Sequence, residues 1–185
     1  MRITILLLIA VLLAGCGEIY TIKIVNHTKA TCTARINHIE HILRPGETLK
    51  KSYGQPWLFG PRDRDYRVWY SGEHVLYEFT EKGSLKDATY HIEPDCASIV
   101  VVNHSGQPVS DVYMRAQGSD DWGENLLEQP IEVDSTCVWS RPTGTFEVKI
   151  IDWMETVYVS PALVLGVDET MRLSYLGGQA ALHRY

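Results

Sequence analysis

One nine-residue phrase occurs twice in this chain. Tyr20-Thr21-Ile22-Lys23-Ile24-Val25-Asn26-His27-Thr28 returns 77 residues later as Ala97-Ser98-Ile99-Val100-Val101-Val102-Asn103-His104-Ser105. An apolar, β-branched run closing on Asn-His-Thr/Ser reads as a strand that ends in a turn. Its recurrence predicts a fold of two similar halves. Further matches keep the same order. Arg35 corresponds to Arg115, Arg44-Pro45-Gly46-Glu47-Thr48 to Glu132-Val133-Asp134-Ser135-Thr136, and Cys137 to Leu49. Tyr66-Arg67-Val68 corresponds to Phe146-Glu147-Val148, and Asp87-Ala88-Thr89 to Asp168-Glu169-Thr170. The gaps fall in loop-like sequence.

Each half reads as short strands. Phe146-Glu147-Val148-Lys149-Ile150 alternates apolar and charged residues, as a half-buried strand does, and Val75-Leu76-Tyr77-Glu78-Phe79 and Val112-Tyr113-Met114-Arg115-Ala116 behave alike. Pro45-Gly46, Thr143-Gly144 and Leu176-Gly177-Gly178 are turn or terminal signals. The expected class is all-β, with two related antiparallel β-sandwich-like repeats, residues 20–94 and 95–185, the latter ending in a short C-terminal tail. About 75 residues per copy suits a six- or seven-stranded sandwich. Whether the copies form two domains or one merged sandwich stays open. With 45% hydrophobic and 22% charged residues the chain has a globular composition, not a disordered one. A net charge of −6 removes the basic footprint that nucleic-acid binding requires.

Ahead of the first copy, Met1-Arg2 leads into an apolar run, residues 3–14, too short to span a bilayer. The run ends in Leu13-Ala14-Gly15-Cys16. This resembles the lipobox of bacterial lipoproteins. The resemblance implies that residues 1–15 are a signal peptide and that Cys16 is the first mature residue, carrying thioether-linked diacylglycerol and an amide-linked acyl chain such as palmitate. Gly17, where an Asp would retain such a protein at the inner membrane, implies delivery to the outer membrane. Residues 16–19 form the lipidated cysteine and a short tether, reaching only about 10 Å at roughly 3.3 Å per residue. The first copy is therefore expected to rest on the bilayer through Lys23, Lys29, Arg35, Lys50 and Lys51, with the second facing outward.

A second resemblance covers residues 98–158. Ile99 to Gly106, Val112-Tyr113, the run Gly118-Ser119-Asp120-Asp121-Trp122-Gly123-Glu124-Asn125-Leu126-Leu127 and Gly144-Thr145-Phe146-Glu147-Val148 are similar to a repeat module of uncharacterised secreted bacterial proteins. It implies the fold and no activity. The usual Pro-Gly turn is Val133-Asp134 here, and the first copy lacks the tryptophan loop.

Several residues are candidates for function. Asp120, Asp121, Trp122, Glu124 and Asn125 make a candidate binding loop, and the oxygens of Asp120, Asp121 and Glu124 make it a weak calcium candidate without the spacing of an EF-hand. Trp57, Phe59, Trp69 and Tyr70 are candidates for an aromatic face able to stack on sugar rings. His38, Glu40 and His41 supply too few ligands for zinc, and His27 and His104 read as strand-end residues. With Cys16 lipidated, Cys32, Cys96 and Cys137 allow three pairings and always leave one thiol over. There is no phosphate-cradling glycine loop, His-Glu-x-x-His or Gly-x-Ser-x-Gly. The expectation is a lipid-anchored envelope protein, not an enzyme, without a cofactor beyond its lipid. It would bind or support a protein or polysaccharide partner. The alternative is a lipid-anchored inhibitor or immunity protein against a toxin or hydrolase.

Overall fold

A computed structural model describes residues 18–55, 65–84 and 86–185. Among them there is no helix, and none long and apolar enough to cross a membrane. The described strands are β1 (Glu18–Asn26), β2 (Cys32–Ile36), β3 (Ile39–Leu43), β4 (Thr48–Gln55), β5 (Asp65–Gly72), β6 (Val75–Ser84) and β7 (Ala88–Ile92), followed by β8 (Ala97–Asn103), β9 (Val109–Ala116), β10 (Thr136–Arg141), β11 (Gly144–Asp152), β12 (Val157–Val159), β13 (Leu163–Leu165), β14 (Thr170–Tyr175) and β15 (Ala180–Arg184). The fold is all-β and sandwich-like, as the alternating pattern requires.

Contacts divide the chain into two units. The first holds the described residues among 18–27, 31–71 and 78–92; the second holds 28–30, 72–77 and 93–185. A cut by sequence order cannot assign 28–30 and 72–77 to the second unit, because that membership depends on packing. In the first unit one sheet runs β4-β1-β7 and the other β3-β2-β5-β6. In the second, one runs β10-β8-β14-β15, and β9 pairs with β11, which also pairs with β12 and β13. β12 and β13 lie on successive parts of β11, so together they match β6. One departure from a purely antiparallel sandwich recurs in both units: β1 is parallel to β7, and β8 to β14.

The registers show how closely the units agree. Ile24 faces Leu49 across β1 and β4, and Val101 faces Cys137 across β8 and β10. Gly46 N–H donates to Asn26 O and Asn26 N–H to Glu47 O; Asp134 N–H donates to Asn103 O and Asn103 N–H to Ser135 O. Asp134 adopts the left-handed backbone (φ 59°) that Gly46 adopts without steric cost (φ 77°). Asn26 and Asn103 are both buried, and their amides donate to Leu43 O and Ile131 O. The repeated Asn is therefore a strand-end clamp.

Two of the sequence matches slip by two residues. Ala88 lies opposite Ile22, and the residue opposite the equivalent Ile99 is Met171, where sequence matching chose Glu169. Asn37 N–H donates to Arg67 O as Gln117 N–H does to Thr145 O, which moves Arg67 off Glu147 and sets Trp69 there. A shift of two keeps every side chain on its face, so alternation cannot detect it. The second unit's core joins both sheets through Ile99, Val101, Val112, Val148, Ile150 and Leu173, with Leu126, Leu127 and Trp139 packed on it. Ile22, Ile24, Ala34, Ile36, Tyr66 and Val68 are the buried counterparts in the first unit.

Candidate functional site

The loop between β9 and β10 is built around two fasteners. The Asn125 side chain accepts from Val112 N–H at 3.0 Å and Leu127 N–H at 3.1 Å, and donates to Asp111 Oδ1 at 2.7 Å. Trp122 lies over the sheet, with the Arg115 guanidinium 4.1 Å and the Lys149 ammonium 5.0 Å from its ring centroid. Arg115 also binds Glu147 at 2.7 Å. Trp122 and Asn125 thus hold the loop down. Asp121 accepts from Gly123 N–H at 2.8 Å. Asp120, Asp121 and Glu124 are exposed, and no three acidic, His or Cys ligand atoms of this loop lie within 4.8 Å of one another. They do not converge on a calcium ion.

Of the expected aromatic face, Trp57 and Phe59 lie outside the described residues. Trp69 and Tyr70 are neighbours on β5 and point to opposite sides of the sheet. Tyr70 stacks on Phe79 at 4.7 Å, whereas Trp69 lies beneath the Arg35 guanidinium at 5.2 Å and donates Nε1–H to Glu78 at 3.0 Å. A single stacking platform from this pair is excluded. Trp69 instead lines a groove of about 610 Å³ with Arg35, Arg67, Lys82, Thr80 and His38.

The expected lysine and arginine patch is also divided. Lys23 and Lys50 are directly opposed on the β1–β4 pair, while Arg35 belongs to the other sheet and Lys29 to the second unit. Glu40 pairs with Arg35, leaving His38 and His41 without a shared ion site. His27 stacks on His91 at 5.1 Å. Cys16 lies outside the described residues. Cys32, Cys96 and Cys137 form no disulfide with one another, and the Cys32 thiol donates to Asn26 Oδ1 at 3.5 Å. Burial, then the neighbouring Asp95, pushes the Cys96 thiol up to about 12.

Sequence inspection missed two features. Ser98 Oγ lies 3.3 Å from His74 Nε2, and His74 Nδ1 lies 2.7 Å from Asp168 Oδ1, the order of a nucleophile–base–acid triad. Ser98 is 0% and His74 2% exposed, and the Thr170 hydroxyl shares the same imidazole nitrogen at 3.0 Å. A nucleophile sealed from solvent cannot meet a substrate, so this set serves as a buried polar hub. The second feature is the turn after β11. The buried Asp152 carboxylate accepts N–H bonds from Met154 and Thr156, each at 2.9 Å, and the Tyr175 hydroxyl at 2.9 Å. Glu155 takes a left-handed backbone (φ 60°) there. The result holds Trp153 at 60% and Met154 at 71% exposure.

The described residues therefore define a class, an all-β protein of two sandwich-like units. No protein-family model and no curated protein matches the chain. Among solved structures it is similar to the Bacillus anthracis TIE protein, at 10% identity and a TM-score of 0.33 over 86% of this chain and 34% of that one. The chain spans about a third of that protein's length.

Proposed function

We propose that this chain is a lipid-anchored, non-catalytic envelope protein that holds a protein partner through its second unit. The observation that carries this reading is the Trp153–Met154 turn. Large apolar side chains exposed on a backbone already fixed by Asp152 match the composition of binding hot spots, where rigid aromatic anchors contribute most. Preorganisation lowers the ordering cost that association must overcome. The closed Ser98–His74–Asp168 hub supports a binding role over catalysis. The lipobox resemblance at Cys16 supports the anchor.

A photo-reactive amino acid placed at position 153 of the full chain, in growing cells, tests this. A discrete protein adduct is expected, lost in the Met154→Asp background and absent when the probe sits at Val164. Adducts to lipid alone, or the same adducts from both positions, overturn the partner assignment. Cys16→Ser should abolish lipid labelling and release the protein from the membrane fraction; a membrane-bound mutant of precursor mass refutes the anchor.

A further inference from the structure

Strand β10 ends its sheet, and part of its outer edge is bare. Asn103 N–H donates to Ser135 O, and from there the register sets Cys137 against Val101 and Trp139 against Ile99. In an antiparallel pair alternate residues turn their peptide groups to the partner, so those of Thr136 and Val138 point away from β8. Among the described residues no strand, turn or side chain takes them up. Further along, Arg141 holds Ser140 O and the Ser140 hydroxyl donates to Glu73 O, so the bare stretch is short. Natural sheets guard such edges, often with lysine. The corresponding strand of the first unit is β4, since Leu49 faces Ile24 as Cys137 faces Val101. It carries Lys50 and Lys51 where β10 has Val138 and Trp139.

A groove of about 620 Å³ runs beside this edge. Its far wall is the segment 126–132, which is tied to β9 of the other sheet. Leu126 N–H donates to Val112 O at 2.8 Å, and Ile131 and Val109 exchange N–H bonds at 2.9 and 3.0 Å. Leu126, Leu127, Cys137 and Trp139 line the groove and pack on the core, so its floor is apolar and fixed. Its charged lining residues are Glu128 and Glu132, both exposed, and neither carboxylate bonds a described residue. The whole β9–β10 connection, residues 117–135, holds six acidic residues and no lysine or arginine, so the wall of the groove is negative.

We propose that the β10 edge binds an extended, cationic peptide segment of a partner protein, which joins the sheet as an added strand. The peptide groups of Thr136 and Val138 supply the ladder bonds, which are indifferent to sequence, and the groove supplies the preference. A strand beside β10 turns every second side chain to the face that carries Cys137 and Trp139, where an apolar residue fits. Lysine or arginine at the remaining positions meets Glu128, Glu132 and the acidic connection beyond them, whereas an acidic segment is repelled. At roughly 3.4 Å per residue, about four partner residues span the bare stretch. The site uses none of the residues of the Trp153–Met154 turn, and either can stand without the other.

Fluorescence anisotropy of a labelled heptapeptide of alternating valine and lysine, titrated with the full chain in detergent micelles, tests this. Saturable binding at one site per chain is expected, weakening as salt rises. The same peptide methylated on its backbone nitrogens keeps its side chains and charge and should not bind, nor should a heptapeptide of alternating valine and glutamate. Val138→Lys, which copies the guard of β4, should weaken binding about tenfold. Glu128→Gln combined with Glu132→Gln should weaken it as much and flatten the salt dependence. Arg67→Ser, in the first unit, should leave it unchanged. Equal binding of the methylated or the glutamate peptide, no loss in Val138→Lys, or no binding by a chain with an unchanged β-type dichroism spectrum each overturns the proposal. So does a dimer of the chain that Val138→Lys dissolves, without any binding of the peptide, which would assign the edge to a second copy. Met154→Asp should retain peptide binding while losing the partner adduct, so the two readings fail separately.

Discussion

Replacing Asp152 by Asn should destabilise the second unit far more than a surface change of the same size. The carboxylate is 4% exposed and accepts from Met154 N–H, Thr156 N–H and the Tyr175 hydroxyl. Tyr175 is fully buried and itself accepts from Gly178 N–H at 3.0 Å, so its hydroxyl has few alternatives. The amide of Asn keeps one acceptor oxygen and places a donor against either Tyr175 or the two backbone N–H groups. Losing a charged acceptor and leaving a buried donor unmet costs about 2–4 kcal/mol. Tyr175→Phe, which removes one neutral donor, should cost only about 1–2 kcal/mol. Burial alone would raise the carboxyl pKa; the bonds from Thr156, Tyr175 and Met154 outweigh it and hold the carboxyl below its ordinary range. A depressed folded-state pKa contributes stability that is complete above the unfolded value, near ~3.9, and lost as pH falls through the folded value. Urea denaturation followed by tryptophan fluorescence should therefore show the Asn penalty at pH 7 and see it shrink towards about pH 2. A penalty below about 0.5 kcal/mol at pH 7, one that does not change with acid, or strict additivity of Asp152→Asn with Tyr175→Phe would refute the assignment.

Three further outcomes follow from the same geometry. Ser160, buried between β12 and β13, accepts from Val148 N–H at 2.9 Å and donates to Pro161 O at 2.8 Å, so Ser160→Ala should cost about 1–3 kcal/mol in the same denaturation assay. Trp122→Ala removes the cation–π clamp, worth about 1–2 kcal/mol, and should speed proteolysis within residues 119–127 while leaving the β sheets intact by circular dichroism. Burial raises the pKa of both Cys96 and Cys137, and Cys96 and Cys32 are the more buried. Iodoacetamide at about pH 8 should then label Cys137 slowly, and Cys32 and Cys96 only after unfolding, as mass spectrometry of peptides would show.

Much of the fold was legible because strand ends carry side-chain chemistry. Asn26 and Asn103 recur at an interval of 77 residues since each clamps the same turn, and Gly46 and Asp134 occupy the same left-handed position. Asp is among the few non-glycine residues that tolerate that conformation, which keeps the match visible despite low identity. Strand interiors carry no such marks, so sequence similarity alone sets β7 against β14 and β5 against β11 two residues out of step. The candidate sites were less legible. Trp122 and Asn125 look like ligand-facing residues in sequence, but their partners Arg115, Lys149, Val112 and Asp111 lie on strands that only the tertiary fold brings under the loop. His74 is a lone histidine in sequence, and its partners Ser98 and Asp168 are 24 and 94 residues away. The Trp153–Met154 turn carried a signal in Asp152, two residues before the Met N–H it caps, which is the local hydrogen-bonding pattern of an aspartate turn.

The two units share the parallel closure and the Asn clamp, yet they satisfy one strand arginine by different routes, and the difference traces to a single connection. After β9 the chain runs through residues 117–135 before β10, long enough to carry Trp122 back over its own sheet. After β2 it turns at once into β3, and that strand only lengthens the sheet. Covering a cationic face from within satisfies Arg115 with Glu147 and Trp122 and leaves that face little to offer a ligand. In the first unit Arg35 is held between the Trp69 ring and the Glu40 carboxylate, so each unit gives its strand arginine one indole and one carboxylate from its own chain. The same arginine position is therefore satisfied in both units by different routes: a long loop brings Trp122 to Arg115 in one, and in the other the neighbouring strands β3 and β5 supply Glu40 and Trp69 to Arg35.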